Sequence, residues 1–402
     1  MMSATNHRVF SILVGGALVA LCGCATRGAY QPASVTDLGV VDRSVSETQD
    51  GVTVSVAVPS PEEAMQLLGF KAGKRSVQPV WMEVANESGN DYWFMIHALD
   101  EAYFSPFEVA WMGRKKYTRE ARRAMESYLH DSAMPMLVPA GETATGYAYV
   151  NQTLGARHVL VELVGDHGGV LTFEFLVDVP GFAADYHEVD FEGLYERFEA
   201  LDREGLRTWI ESQPATVTNK KQSKSGDPLN LVVVGHGEAV WRAFARAGWH
   251  VTETMSASSS LKTVSSSVVK KRYLYSPISP LYVWERPQDL ALQKARATVD
   301  ERNHLRLWLA PVTCDGEHVW FGQISRDIGV RFTTKSPTIS THKIDPDVDE
   351  TRTCLLQELI YAEGVESFAF AGGVGAAPLD APRGNLTGDP YFTDGLRLVL
   401  FM

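Results

Sequence analysis

The chain has 402 residues, 45% of them hydrophobic and 21% charged, an ordinary globular balance with room for two domains. A formal net charge of −12 argues against nucleic acid as a partner, because phosphate backbones select basic surfaces. Four cysteines without a C-x-x-C spacing do not suggest a thiolate zinc site.

His7 and Arg8 precede an apolar run from Val9 to Leu21, too short to span a bilayer and of the length of a secretory signal. The run ends Leu21-Cys22-Gly23-Cys24, which resembles a bacterial lipobox. That resemblance implies cleavage before Cys24, diacylglycerol on its sulfur and acyl chains such as palmitate. With Ala25 next, it implies the periplasmic face of the outer membrane. A plain signal peptide cut nearby is the other reading. Residues 1–23 are thus expected to be a signal peptide and 24–50 a tether. No later stretch reaches 18 apolar residues, so no transmembrane helix is expected.

Residues 51–182 read as an antiparallel β-sandwich-like domain with an inserted helix. Strand signals run over Val52–Val58, Pro79–Ala85, Tyr92–Leu99, Thr143–Val150, His158–Val164 and Val170–Val177. Ser60-Pro61 has the form of an N-cap followed by proline at the first helical position. The inserted helix, Gly113 to His130, carries Arg114, Lys115, Lys116, Arg119, Arg122 and Arg123. These cations suit anionic headgroups or, more simply, a solvated face paired with its own glutamates. Val189 to Ser212 has helical spacing at Phe191, Leu194, Phe198 and Leu201, and Pro214 to Asp227 reads as a polar linker.

The second domain, 228–402, is expected to be mixed α/β, which makes the whole chain α+β. Leu229 to Val234 is a strand, followed by Gly235-His236-Gly237 and a helix over Glu238–Ala247. The glycines lack a dinucleotide or Walker pattern, so a close strand-to-helix turn explains them. The serine-rich run Ser256–Ser267 lacks a nucleophile-elbow context. Gln288–Arg296 reads as a short helix. In the strand Arg302-Asn303-His304-Leu305-Arg306-Leu307-Trp308, alternation places Arg302, His304, Arg306 and Trp308 on one face and the leucines in a core. Asp315-Gly316 is a turn signal before the strand Val319–Ile324. Asp345-Pro346 marks a helix start, with Asp347, Asp349 and Glu350 suited to its first turn. Ser367–Ala371 and Leu396–Met402 read as strands. Cys314 and Cys354 are expected to be free thiols, with a disulfide as the alternative.

Residues from about 228 onward resemble the LssY C-terminal domain family. The resemblance is carried by Asp227-Pro228-Leu229-Asn230, Ala247-Gly248-Trp249, Ser279-Pro280-Leu281, Arg302 to Trp308, Val319-Trp320, Arg326-Asp327, the His342-to-Arg352 run and Gly388-Asp389-Pro390-Tyr391. Some relatives attach such a domain to membrane segments and a lipid-phosphatase-like module. That module is absent here, and the resemblance implies no activity of its own.

Two functions stay open. One is a lipid-anchored hydrolase of a phosphate-bearing envelope substrate, with Arg302 and Arg306 holding phosphate oxygens and His304 or His342 as acid or base. In that reading His304, Arg306, His342, Asp345 and Asp349 form the catalytic group, and Arg302, Asp327 and Trp308 bind substrate. A metal variant uses His342, Asp345 and Asp349, and the sequence names neither a metal nor a cofactor. The other is an accessory protein anchored by Cys24 that binds an envelope protein or glycan, with the same residues tied into salt bridges.

Overall fold

The computed structural model describes residues 29–72, 76–166, 168–253, 275, 278–295, 302–332 and 340–402. The signal and lipobox, and the serine-rich run, lie outside the described residues. Helix and strand are mixed throughout, and no helix among the described residues is long and apolar enough to cross a membrane.

The first eight strands form two four-stranded antiparallel sheets. One contains β1 (Val45–Gln49), β2 (Val52–Ala57), β3 (Val77–Asn86) and β6 (Thr143–Asn151); the other contains β4 (Tyr92–Phe94), β5 (Leu137–Val138), β7 (Gly155–Gly165) and β8 (Val170–Val179). Alternate residues of both sheets, such as Val54, Met82, Val161 and Phe173, enter one shared core. The β1–β2 turn, Asp50-Gly51, has positive φ at both residues, the two-residue geometry that matches strand twist. Helix α1 (Pro61–Leu68) lies between β2 and β3; Tyr92–Leu99 is strand only to Phe94, and after Met95 the chain forms the one-turn helix α2 (Ile96–Leu99). Ser60 caps α1 in a reciprocal capping box, as its sequence suggests.

The expected tether is structured from residue 29 onward: Ala33 N donates to Gln66 O, a 3-10 turn covers Val41–Arg43, and β1 follows. The expected single helix over 113–130 is two helices, α3 (Pro106–Gly113) and α4 (Arg119–Asp131), with a 3-10 turn at Arg114–Lys116. Extended Tyr117 and Thr118 break the run, because the Thr118 hydroxyl accepts from Ala121 N and starts a new helix. These helices and α1 cover the outer side of the β1–β2–β3–β6 sheet through a second core that includes Leu68, Val109, Met125 and Tyr149.

The 183–227 stretch is not a helix and linker. Asp190 accepts from Gly193 N in a local turn, and Phe191, Leu194 and Phe198 pack against the next core from irregular chain. β9 (Glu199–Leu201) then pairs in parallel with a distant strand, so sheet pairing overrides the helical spacing. The α-helical part is α5 (Arg203–Ser212), a 3-10 turn covers Asp185–Glu188, and β10 (Thr216–Thr218) and β11 (Ser225–Pro228) occupy the supposed linker.

The remaining strands are β12 (Leu231–Val234), β13 (His250–Val251), β14 (Tyr282–Val283), β15 (Arg286–Pro287), β16 (Leu290–Ala295), β17 (Arg302–Cys314), β18 (Glu317–Phe332), β19 (Ser340–Ile344), β20 (Ser367–Ala371), β21 (Arg383–Gly384), β22 (Pro390–Tyr391) and β23 (Arg397–Phe401). Nine of the described strands form one sheet with a main order β13-β16-β17-β18-β12-β23-β20, β9 and β19 attaching to β17 and β18. Residues 290–295, expected as helix, are strand because β17 pairs with all six of them. Helices α6 (Gly237–Arg246) and α7 (Val348–Tyr361) cover the face that carries Leu305, Leu307 and Leu309. α5, Val217, Leu281 and Val283 cover the opposite face at Trp308, Ala310 and Phe321. Cys314 and Cys354 are free thiols.

Fully buried Arg397 fastens several of these pieces. Its guanidinium donates to the carbonyls of Leu229, Ile210, Gln213, Pro214 and Gly373, and it lies 4.8 Å from the Phe321 ring centroid. Burial pushes it down to about 10, still cationic at neutral pH. Arg397→Met removes every donor while the carbonyls stay buried. It is expected to lower the unfolding free energy by about 3 kcal/mol or more, read by urea titration. A loss under about 0.5 kcal/mol, typical of an ordinary surface substitution, would show that the clasp is dispensable.

Candidate functional site

β17 is buried along both faces, because it lies inside the sheet and both sides are covered. Alternation places the leucines under α6 and α7 and sends Arg302, His304, Arg306 and Trp308 to the other side, as their spacing predicts. The ladder sets their neighbours. Gln293 and Ser325 flank His304, and Ala291 and Gln323 flank Arg306. All of these polar residues are buried.

Four of the predicted site residues come together. His304 Nε2 lies 2.9 Å from Asp327 Oδ2, and Arg302 Nε lies 3.6 Å from the same oxygen. Arg302 Nη1 donates to Gln293 Oε1 at 3.0 Å. Arg306 Nη1 donates to Gln323 Oε1 at 2.7 Å, and its Nη2 donates to Ser279 O at 3.0 Å. Trp308 lies on the same face but belongs to the apolar part, its indole N–H donating to Arg286 O at 3.3 Å.

Others do not join them. The ladder pairs His304 with Ser325 but His342 with Val330. The backbone of His342 therefore lies five positions, roughly 16 Å, farther along β18 at strand rise. Its side chain lies outside the described residues. The helix expected at Pro346 begins at Val348 with Asp347 as its cap, accepting from Glu350 N. Asp345 instead accepts from Asp347 N at 3.0 Å, a turn two residues ahead of the helix. Asp349 accepts from Thr393 Oγ1 at 2.8 Å and Asp394 N at 2.6 Å, which fastens a loop to α7. These contacts give Asp345 and Asp349 structural employment. Among the described residues no group of three or more His, Cys, Asp or Glu is arranged to hold a metal ion.

The cluster has members that the sequence reading did not assign to it. Asp227 Oδ1 accepts from Asn385 Nδ2 at 3.1 Å, and Asn385 Oδ1 accepts from the N–H groups of Thr387 and Asp389. The buried Asp389 accepts from Thr387 Oγ1 at 3.0 Å. Asn230 clasps β18, donating to Ile324 O and accepting from Ile324 N. Asp227, Asn230 and Asp389 stand in motifs that carry the family resemblance, so a signal was present. Gln293 was hidden by reading its strand as helix.

Electrostatics follow from this closure. Burial pushes His304 down to about 4; Asp327 opposes the shift and Arg302 and Arg306 reinforce it. The imidazole is therefore neutral at physiological pH, with Nε2 facing the Asp327 carboxylate. Burial pushes Arg306 down to about 10, with Asp227 and Asp327 opposing. Burial also raises the Asp227 carboxyl; Asn385 and Arg306 pull it back, and Asp327 and Asp389 push it further up. A neutral imidazole fixed by a carboxylate between two guanidiniums has donors that could orient an anion, but it takes up a proton only near pH 4.

Residues 210–396 match the model of the LssY C-terminus family. The match starts within α5, so it takes in β10 and β11, ahead of the boundary expected at 228. Every member of the polar cluster lies inside it. No curated protein and no solved structure matches the chain.

The shift on His304 predicts a pH dependence. A histidine held neutral costs nothing above its unfolded value of 6.5; below it the unfolded state takes a proton that the fold refuses until about 4. Stability should therefore fall as pH drops from 6.5 toward 4. By pH 5 the loss is about 2 kcal/mol relative to pH 7.5. His304→Gln should lose this slope, and parallel urea titrations of the two proteins at both pH values measure the difference.

Proposed function

We propose that the protein is a lipid-anchored envelope component whose C-terminal half binds a partner and turns over no substrate. The observation that carries this reading is the internal pairing of the polar cluster. Arg302 and Arg306 already hold Gln293, Gln323, Ser279 O and Asp327, and His304 faces Asp327. A phosphate would have to displace charge-assisted bonds worth about 1.5–3 kcal/mol each.

The surface offers a binding edge instead. β20 is the last strand of the large sheet as described, pairing with β23. Phe368 and Phe370 on it are 50% and 43% exposed, whereas the neighbouring strand β23 is buried from Arg397 to Leu400. An apolar strand edge of this kind suits an extended segment of another envelope protein. Photocrosslinkers placed at Phe368 and Phe370 in cells should capture one discrete partner, and Ala369→Pro should remove it. Absence of any crosslinked species would count against the binding role.

The second reading, a hydrolase of a phosphate-bearing envelope lipid or glycan, is favoured by the neutral His304 held by Asp327 between two guanidiniums. On p-nitrophenyl phosphate the purified protein is expected to show no turnover above buffer. Turnover that falls about 100-fold in His304→Gln, the scale of a lost general acid or base, with an unchanged melting temperature, would reverse the choice.

The anchor has its own test. Cys24→Ser should accumulate as an unprocessed precursor and take up no labelled palmitate. Normal processing and labelling of that variant would remove lipidation from the proposal.

A further inference from the structure

The α3–α4 layer carries an unusual surface for an acidic protein. Between Arg114 and Arg123 the sequence has six cations and one acid, Glu120, against a whole-chain net charge of −12. α3 buries Val109, Ala110 and Gly113 and turns its other side outward. On that side Phe107 is 56% exposed and Trp111 65%, and Tyr103 just before the helix is 42% exposed. Phe107 stacks against His130 of α4, and the Arg114 guanidinium lies 3.3 Å from the centroid of the Trp111 ring. Trp111, Arg114 and Phe107 thus line one shallow groove. Lys115, Arg119 and Arg123 are exposed beside it.

The chain enters the structure at this same layer. Tyr30 packs edge-on against Tyr117, which precedes α4, and against Tyr128 within it, at centroid distances of 5.5 and 5.7 Å. Tyr30 follows Cys24 by six positions, a span of about 20 Å at full extension. An anchor on Cys24 therefore holds this layer, and no distant face, close to the bilayer.

We infer that the α3–α4 face is a membrane-docking surface, with Phe107 and Trp111 inserted at the headgroup level and the flanking Lys and Arg on anionic headgroups. Exposed aromatics bordered by cations are the composition of interfacial membrane binding. Glu108 also lines this groove and keeps its charge while accepting the Ser105 backbone N–H in a capping box, so the attraction to anionic headgroups rests on the flanking cations that outnumber it. The orientation rests on the lipid-anchor reading, whereas the surface chemistry stands without it.

The test uses the full purified chain in phosphatidylethanolamine/phosphatidylglycerol vesicles containing a doxyl-labelled lipid. Tryptophan emission of the wild type is compared with that of Trp111→Phe, so that the other tryptophans cancel. Quenching that is present in the wild type and at least halved in Trp111→Phe is expected, and Lys115→Glu with Arg119→Glu should reduce it likewise. Phosphatidylcholine vesicles should give less quenching than anionic ones. Equal quenching of the wild type and Trp111→Phe would overturn the docking surface, whether or not the chain is acylated. Trp111-dependent quenching in a chain without an acyl group would uphold the surface and remove only the anchor.

Discussion

Burial of β17 on both faces is the constraint on which the C-terminal half depends. A strand covered on one side by leucine-packed helices and on the other by loops and a small sheet has no route to water for a charged side chain. Arg302, His304 and Arg306 must then be satisfied by protein. That requirement dictates glutamines at 293 and 323, a carboxylate at 327 and a carbonyl at Ser279. Asp227 and Asp389 add carboxyl groups from outside the strand trio, Asp227 acting on Arg306 and Asp389 on Asp227. The loop at 385–389 is organised by Asn385, which ties backbone, Asp227 and Thr387 together.

What the sequence made legible was periodicity of two, wherever a strand has a dry side and a polar or differently packed side. β17 was readable because leucines and charged residues alternate in it, and the N-terminal strands because valines alternate with polar residues. Helical spacing was less reliable. Phe191, Leu194 and Phe198 have the right intervals, yet the parallel pairing of β9 with β17 claims the chain that follows. Leu290, Leu292 and Ala295 misled in the same way, since a six-residue pairing with β17 outweighs local preference. Short signals at helix ends fared better where the capping residue has one acceptor to give. Ser60 meets that condition, while the Asp345-Asp347 run offers two carboxylates and the second takes the helix.

The candidate site was half legible for a related reason. Residues on one strand can be grouped by parity, so Arg302, His304 and Arg306 were grouped correctly. Contacts between strands depend on register, which no local signal carries. Register brings Asp327 to His304 and moves the His342 backbone well along β18. Asp227 and Asp389 could be suspected only from their motifs, because their partners are remote in sequence.

Register also explains why such a costly cluster is compatible with a stable fold. Desolvating two guanidiniums and several carboxyls gains little net free energy compared with an apolar core of the same volume. A one-residue slip of β17 against β16 and β18, however, would drive Arg302, His304 and Arg306 into the layer of Leu355 and Leu359 and turn Leu305 and Leu307 toward Asp327. Such a slip loses every charged contact and every leucine contact at once. The polar face therefore rules out the odd-numbered slips, which exchange the two sides of the strand. The same bonds that enforce register hold both guanidiniums to protein acceptors, so a substrate phosphate would have to displace them.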